Sequence, residues 1–293
     1  MRLKVPATSA NLGPGFDTLG LAIRLKNEVI IKPSRFHSVN LKGEGANNSK
    51  LKDNNMFINI FNTFYHQIED RDDKFNFEFV NKIPISRGLG SSSAIICSAI
   101  ASAYAMHKKE ISKDDLLNLA LLYEKHPDNI TPAIMGGFNV CAVQDNKVKY
   151  IRKNISKTVS AVVVIPNKAI STNSSRQTLP LSYSKKDTIH NISYSSLLTG
   201  SFLTNNWEML KVASNDVIHQ NYRMNKMPIL FDIQKIALDN GALMSTLSGS
   251  GSSVFNLVYS ADINKIKDVL KNNFPNFRVF GSLFDNFGIT LDI

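Results

Sequence analysis

The segment PISRGLGSSSA, from Pro84 to Ala94, sets two glycines and three serines ahead of a run free of glycine and proline. Gly88 and Gly90 allow backbone angles and close approaches that a side chain forbids, and consecutive amides opening a helix bind anions. The hydroxyls of Ser91 and Ser92 could add hydrogen bonds to a phosphate or hold a magnesium ion. A serine-capped turn would use the same residues, and the GxxxxGK[ST] pattern of a P-loop is absent. Three more polar loops could carry chemistry. VPATSANLGPGFDTLG, Val5 to Gly20, places Asp17 among backbone-permissive residues, or closes a hairpin with an Asx-rich turn. YEKHPDNITPAIMGGF gathers Glu124, His126, Asp128 and Asn129 at a helix end broken by Pro127. That grouping suits magnesium and substrate orientation, or a capped surface turn. STLSGSGSSVF, Ser245 to Phe255, is a glycine-serine turn whose amides could face an anion or merely join two strands.

These loops need elements to hold them. RLKVPA and LAIRLKNEVIIK read as strands flanking the first loop, and DNNMFINIFNTFYHQI, Asp53 to Ile68, spaces its apolar residues as a helix before the alternating strand FNFEFV. From Ser91, seventeen residues without glycine or proline predict a helix with Ala94, Ser98, Ala101 and Ala105 on one closely packed face. SKDDLLNLALLYEKH predicts a second helix, capped by Ser112 and ending at HPDN. GGFNVCAV and KVKYI suggest a hairpin, and SAVVVIPN, Ser160 to Asn167, a buried strand. Helical segments follow to about Asn240, then strand, glycine-rich turn and strand, then the amphipathic INKIKDVLKNNF. Strands and helices without regular alternation argue for an α+β fold, with a lobe boundary near residue 155.

At 293 residues the chain suggests two lobes, each large enough for its own core. With 43% hydrophobic and 20% charged residues it is ordinary for a globular protein. The balance of 34 Lys and Arg against 24 Asp and Glu gives +10, but the lysines are scattered, which argues against a dedicated nucleic-acid face. No apolar run is long enough for a membrane span, and Cys97 and Cys141 lack metal-ligand spacing, so a reducing, cytoplasmic setting is expected.

Taken in order, the four loop segments closely resemble the motifs of the GHMP small-molecule kinase family, from about residue 2 to about residue 260. The PxxxGLGSSxA loop marks the family as a whole; PATSANLGPGFD and HPDN point to its branch that phosphorylates homoserine. The resemblance implies a ribosomal protein S5 domain 2-like N-terminal lobe, residues 1–155, carrying the ATP loop. It also implies a ferredoxin-like C-terminal lobe, residues 156–293, completing the substrate pocket.

The implied reaction moves the γ-phosphoryl group of ATP to the side-chain hydroxyl of L-homoserine, with Mg2+. By resemblance Pro84, Ile85, Ser86, Arg87, Gly88, Leu89, Gly90, Ser91, Ser92, Ser93 and Ala94 cradle the phosphates, and Ser92 and Glu124 hold the metal. Asn11, Asp17, His126 and Asn129 face the amino acid, Asp17 meeting its ammonium group, and Asp128 is catalytic or substrate-orienting. Arg176 in ISTNSSRQTLP and Arg223 in HQNYRMNKMP match carboxylate-binding arginines, and Gly249 closes the pocket. Adenine is expected near Asn54 and Asn55. Lys125 stands where glycine is frequent in the family, and Ser252 where proline is common. The expected partners are ATP and L-homoserine, with no nucleic acid and no membrane, and with a homodimer left open. The rival readings are another kinase of the family acting on a different small alcohol, and a member of the fold that binds ligand without turnover. The arginine pair favours a substrate with a carboxylate over the first. The presence of Ser92 and Glu124 speaks against the second.

Overall fold

The computed structural model describes residues 1–170 and 172–292. The first half runs β1 (Arg2–Ala10), β2 (Leu19–Ser34), β3 (Ser38–Gly43), the single turn α1 (Lys50–Asp53), α2 (Met56–Ile68) and β4 (Lys74–Asn81). It continues with α3 (Ser91–Met106), α4 (Lys113–Ala120), α5 (Pro127–Met135) and the hairpin β5 (Phe138–Gln144) with β6 (Lys147–Lys153). The second half runs β7 (Val159–Ile165), α6 (Thr172–Arg176), α7 (Lys185–Thr204), α8 (Leu210–Ala213), α9 (Gln220–Met224) and α10 (Ile229–Asp239). After these come β8 (Met244–Leu247), β9 (Val254–Tyr259), α11 (Ile263–Asn273), β10 (Arg278–Ser282) and β11 (Thr290–Asp292).

The architecture is α+β, built on two sheets. One has the order β11-β1-β2-β4-β3, with the β5-β6 hairpin branching from the start of β2; the other has the order β10-β7-β9-β8. β3 with β4 is the parallel pair in an otherwise antiparallel set. The chain crosses to the second sheet between β6 and β7, and its last strand returns to pair with β1, Arg2 opposite Asp292.

The alternation of FNFEFV works as a one-sided strand: Phe75, Phe77 and Phe79 are buried and meet Phe57 and Phe61 of α2 edge-on, at ring centroid distances of 4.9 to 6.0 Å. The nearly all-apolar β7 has a different cause. Ala161, Val163 and Ile165 pack into the large core shared with the first sheet, while Val162 and Val164 face the smaller core under α10 and α11. Buried on both faces, the strand has no polar side to alternate with.

Two helix expectations change. The small residues of α3 serve nearly its whole circumference: Ser93, Ala94, Ile96, Cys97, Ser98, Ala99, Ile100, Ser102 and Ala103 are buried, whereas Ala101 and Ala105 are only half so. α2, α4, α5 and β1 all pack on it, so a single small-residue face was too narrow a reading. α4 stops at Ala120, not at HPDN, because Leu122 and Tyr123 are exposed and the apolar stripe has ended. Pro127 breaks nothing; it is the first residue of α5, where its missing N–H costs no helical hydrogen bond. Among the described residues no helix is long and apolar enough to cross a membrane.

Candidate active site

A cavity of about 350 Å³ lies where the two halves meet, and every residue expected to bind substrate, nucleotide or metal lines it. The loop from Pro84 to Ala94 runs along one side, on top of the end of β1. Its central carbonyls are taken: Ser86 O accepts from Ile170 N (3.2 Å), Arg87 O from Ser253 N (3.1 Å), Gly88 O from Ser248 Oγ (2.6 Å) and Leu89 O from Thr8 N (3.2 Å). None of the amides from Arg87 to Ser93 donates to an acceptor among the described residues. A loop whose oxygens are turned out and tied down, while its N–H groups and a helix start face a cavity, is an anion cradle.

The glycines here are sterically required. Gly88 has φ +76°, and a Cβ on it would fall 2.0 Å from Ser248 O; on Gly90, at φ +69°, it would fall 2.0 Å from Thr8 Oγ1. The side chains of the loop divide. Leu89 and Ala94 are buried in the core and contribute backbone only, and Ser92 is exposed at the rim. Arg87 turns away from the cradle and clasps the carbonyls of Pro166 (3.2 Å) and Asn167 (2.5 Å) in the second half.

At the other end the chain folds back through left-handed residues Asn11, Leu12 and Gly13, which places Asn11 for two bonds. Its Oδ1 accepts from Asp17 N (3.0 Å) and its Nδ2 donates to Gly249 O (3.0 Å), so this amide chiefly fixes the loop against the second half. Asp17 Oδ1 then accepts from Arg176 Nη2 at 2.6 Å, and Asp17 Oδ2 lies 3.3 Å from His126 Nδ1. Arg223, buried, donates from Nη1 to Gly249 O at 3.0 Å. Burial, with Arg176 nearby, pushes its pKa down to about 10, which leaves it cationic at neutral pH. Both guanidiniums stand over the Phe16 ring, 5.3 and 5.1 Å from its centroid.

His126 stands just before α5, putting Asp128 and Asn129 in its first turn rather than at a helix end. Lys125 is exposed and leaves that geometry undisturbed. Asn129 Oδ1 accepts from Thr8 Oγ1 at 2.7 Å, and α5 approaches β2 so closely that a Cβ on Gly20 would lie 1.9 Å from Asp128 O. Asp128 is 2% exposed. Burial first, then the charges of Asp17 and Glu124, push its pKa up to about 8. Burial likewise raises Glu124 and lowers His126.

A buried carboxyl that is neutral at rest makes stability depend on pH. Folding raises the Asp128 pKa, so the folded state holds the proton between about pH 4 and pH 8 while the unfolded state has lost it. The stability Asp128 contributes therefore falls as pH rises through that window and is level above it. Asp128→Asn is expected to melt close to the parent at pH 4 and several degrees higher at pH 8, a gain on the order of a few kcal/mol. Thermal melts of both proteins across pH check this; an advantage that does not grow with pH would count against a buried neutral acid.

The rest of the cavity is an apolar slot bounded by Val5, Val29, Leu51, Met56, Phe57 and Phe79, with Asn54 and Asn55 at its edge. Asn55 caps α2 through Ile58 N (3.3 Å), so its side chain is partly committed. The sequence reading missed Thr8 and Phe16, although both lie inside the segment it singled out. It also missed His219, the residue just before α9, whose ring meets Arg223 of that helix.

Residues 55–137 match the GHMP kinases N terminal domain and residues 198–276 the GHMP kinases C terminal domain. The chain is 64% identical to a homoserine kinase of Aliarcobacter butzleri over 293 residues, covering all of both chains. It is 58% identical to a homoserine kinase of Nitratiruptor over 292 residues, again covering all of both. Among solved structures it is similar to a homoserine kinase from Cytophaga hutchinsonii, with a TM-score of 0.88, 25% identity, and coverage of 99% of this chain and 96% of that one.

Proposed function

The chain belongs to the GHMP kinases and, within them, to the homoserine kinases, and on that premise we propose how its residues divide the work. It transfers the γ-phosphoryl group of ATP to the side-chain hydroxyl of L-homoserine, giving O-phospho-L-homoserine and ADP, a step of threonine biosynthesis. The observation that carries the division is a charge pattern within one cavity. Free amides of the 84–94 loop line one end, and the Asp17–Arg176 pair with Arg223 beside it lines the other. An amino acid is a zwitterion, and this pattern is its complement: carboxylate to Arg176 and Arg223, ammonium to Asp17.

The phosphates rest on the amides of the loop, and adenine occupies the apolar slot. Arg87 holds the two halves together around the cradle and makes no phosphate contact. Glu124 and Ser92, both hard oxygen donors lining the cavity, would hold a magnesium ion. No cluster of three His, Cys, Asp or Glu exists among the described residues, so a site made of protein ligands alone is not what these residues fit. Bound magnesium supplies charge neutralisation at the phosphates.

Alignment and charge compensation account for most of the barrier reduction. Asp128 is a neutral acid at rest, and Asp17 is the first charge that keeps it so after burial itself. The substrate ammonium beside Asp17 removes that repulsion, so substrate binding draws the Asp128 pKa down. Its carboxylate then orients the attacking hydroxyl and takes the proton late, as a loose transition state requires. The two buried free thiols, Cys97 and Cys141, fit a cytoplasmic setting.

The substrate assignment is tested by coupled ADP release with L-homoserine, L-serine, L-threonine and mevalonate. L-Homoserine is expected to give the highest kcat/KM by at least about tenfold, since its hydroxyl alone reaches the cradle with both arginines engaged. An equal or higher value for mevalonate would replace this reading with a different alcohol substrate in the same fold.

A further inference from the structure

His219 takes no part in any step above, yet it is fully buried and both of its ring nitrogens are engaged. Nε2 lies 2.8 Å from the carbonyl oxygen of Gly13, and Nδ1 lies 3.3 Å from Nη1 of Arg223. A carbonyl only accepts and a guanidinium only donates, so Nε2 carries the proton and Nδ1 offers a lone pair. The imidazole is therefore neutral and in one tautomer; burial, helped by the charge of Arg223, outweighs the Asp216 carboxylate 3.8 Å from Nε2 and lowers its pKa, which acts in the same direction.

Both neighbours of the ring are themselves fixed. Gly13 sits at φ +85°, packed so close to residue 214 that a Cβ would fall 2.4 Å from Ser214 O. On the other side the Asp216 carboxylate accepts the amides of Ile218 (3.2 Å), His219 (3.0 Å) and Gln220 (2.7 Å), which anchors the turn that carries the imidazole into α9. Phe16 stacks on the imidazole with centroids 5.1 Å apart, and the same ring lies beneath both guanidiniums. Two cations over one ring repel, Arg223 buried and Arg176 partly exposed. The aromatic face and the Nδ1 lone pair are what this corner supplies to hold Arg223 in spite of Arg176.

We propose that His219 is the positioning residue of the amino-acid site: as a neutral acceptor, with Phe16 as spacer, it holds Arg223 so that its remaining N–H groups meet the substrate carboxylate. This rests on the reading of Arg223 as a carboxylate-binding residue. A structural histidine would cap α9 and fill the core without affecting one substrate more than the other.

The experiment is a set of steady-state measurements on the full-length enzyme. His219→Gln retains a donor at the reach of Nε2 but offers Arg223 no acceptor at the Nδ1 position; His219→Asn offers an acceptor there. His219→Gln is expected to raise the KM for L-homoserine about tenfold with the KM for ATP within about twofold, and His219→Asn to recover most of that loss. In the Arg223→Leu background, His219→Gln is expected to add nothing further. Equal rises in both KM values, equal effects of Gln and Asn, or full additivity with Arg223→Leu would each overturn the proposal. If Arg223→Leu alone leaves the L-homoserine KM unchanged, the carboxylate site itself is wrong and the proposal falls with it. If Arg223→Leu raises that KM and His219→Gln does not, only the positioning role fails.

The parent protein supplies a check that needs no variant to fold. Its 15N spectrum is expected to show a neutral His219 protonated at Nε2, with an Nδ1 resonance that moves on addition of L-homoserine. An Nδ1 resonance indifferent to L-homoserine would also overturn the proposal.

Discussion

Replacing Arg223 with leucine raises the KM for L-homoserine about 10²- to 10³-fold and leaves the KM for ATP within about twofold, since a buried charge-assisted contact to one substrate is lost. The split follows from position. Arg223 stands at the amino-acid end, bonded to Gly249 O, while the phosphate cradle is formed by backbone amides at the other end of the cavity. Part of the loss is shared with the unliganded protein, because leucine leaves His219 Nδ1 without its buried donor and Gly249 O with Asn11 Nδ2 alone, and a lower melting temperature accompanies the kinetic change. Arg223→Lys retains the charge but not the planar fork, and is expected to recover only part of the KM. Steady-state kinetics with each substrate varied in turn distinguish these effects. A parallel rise in both KM values would remove Arg223 from the carboxylate site.

Glu124→Gln lowers kcat about 10²-fold or more, because it removes charge that acts on the phosphoryl group rather than on binding alone. Four carboxylates line the cavity, and three are accounted for. Glu28 pairs with Arg2 at 2.9 Å, Asp17 pairs with Arg176, and Asp128 is protonated at rest. Glu124 is left with no cationic side chain within ion-pair distance among the described residues, and burial has pushed its pKa up. That unpaired, desolvated carboxylate is what a magnesium ion would relieve. The variant should therefore need a higher magnesium concentration for half-maximal rate while the KM for L-homoserine changes little. A variant with unchanged kcat and magnesium dependence would take Glu124 out of the metal site.

The sequence made the site's membership legible because its parts are local. Glycines at 88 and 90, a loop rich in backbone-permissive residues around Asp17, and the HPDN segment each carry their own steric or capping signature, and all of them converge on one cavity. The division of labour inside the site could not be read that way, since it depends on contacts across the chain. Arg87 sits in the middle of the phosphate loop, yet its guanidinium goes to Pro166 and Asn167, about 80 residues away in sequence. Asn11 lines the cavity, and its amide also bonds Asp17 N and Gly249 O across the chain.

The fold shows the same limit. Pro127 as a helix breaker and Pro127 as the first residue of a helix have one local signature, and only the burial of Ile130, Ala133 and Ile134 behind it decides between them. Likewise the nearly all-apolar β7 was recognisable as buried, but not as the strand whose two faces serve two cores. The return of β11 to the first sheet rests on three residues with no pattern of their own.

The central claim is that one end of the cavity reads a carboxylate while the other holds phosphates on free amides. The measurement that tests it most directly compares L-homoserine with 3-aminopropan-1-ol, which keeps the ammonium and hydroxyl and lacks only the carboxylate, in the parent enzyme and in Arg223→Leu. The parent is predicted to discriminate by about 10³-fold or more in kcat/KM and the variant by about tenfold, the difference being the contact Arg223 makes with the carboxylate. Equal turnover of the two alcohols by the parent, or undiminished discrimination by the variant, would contradict it.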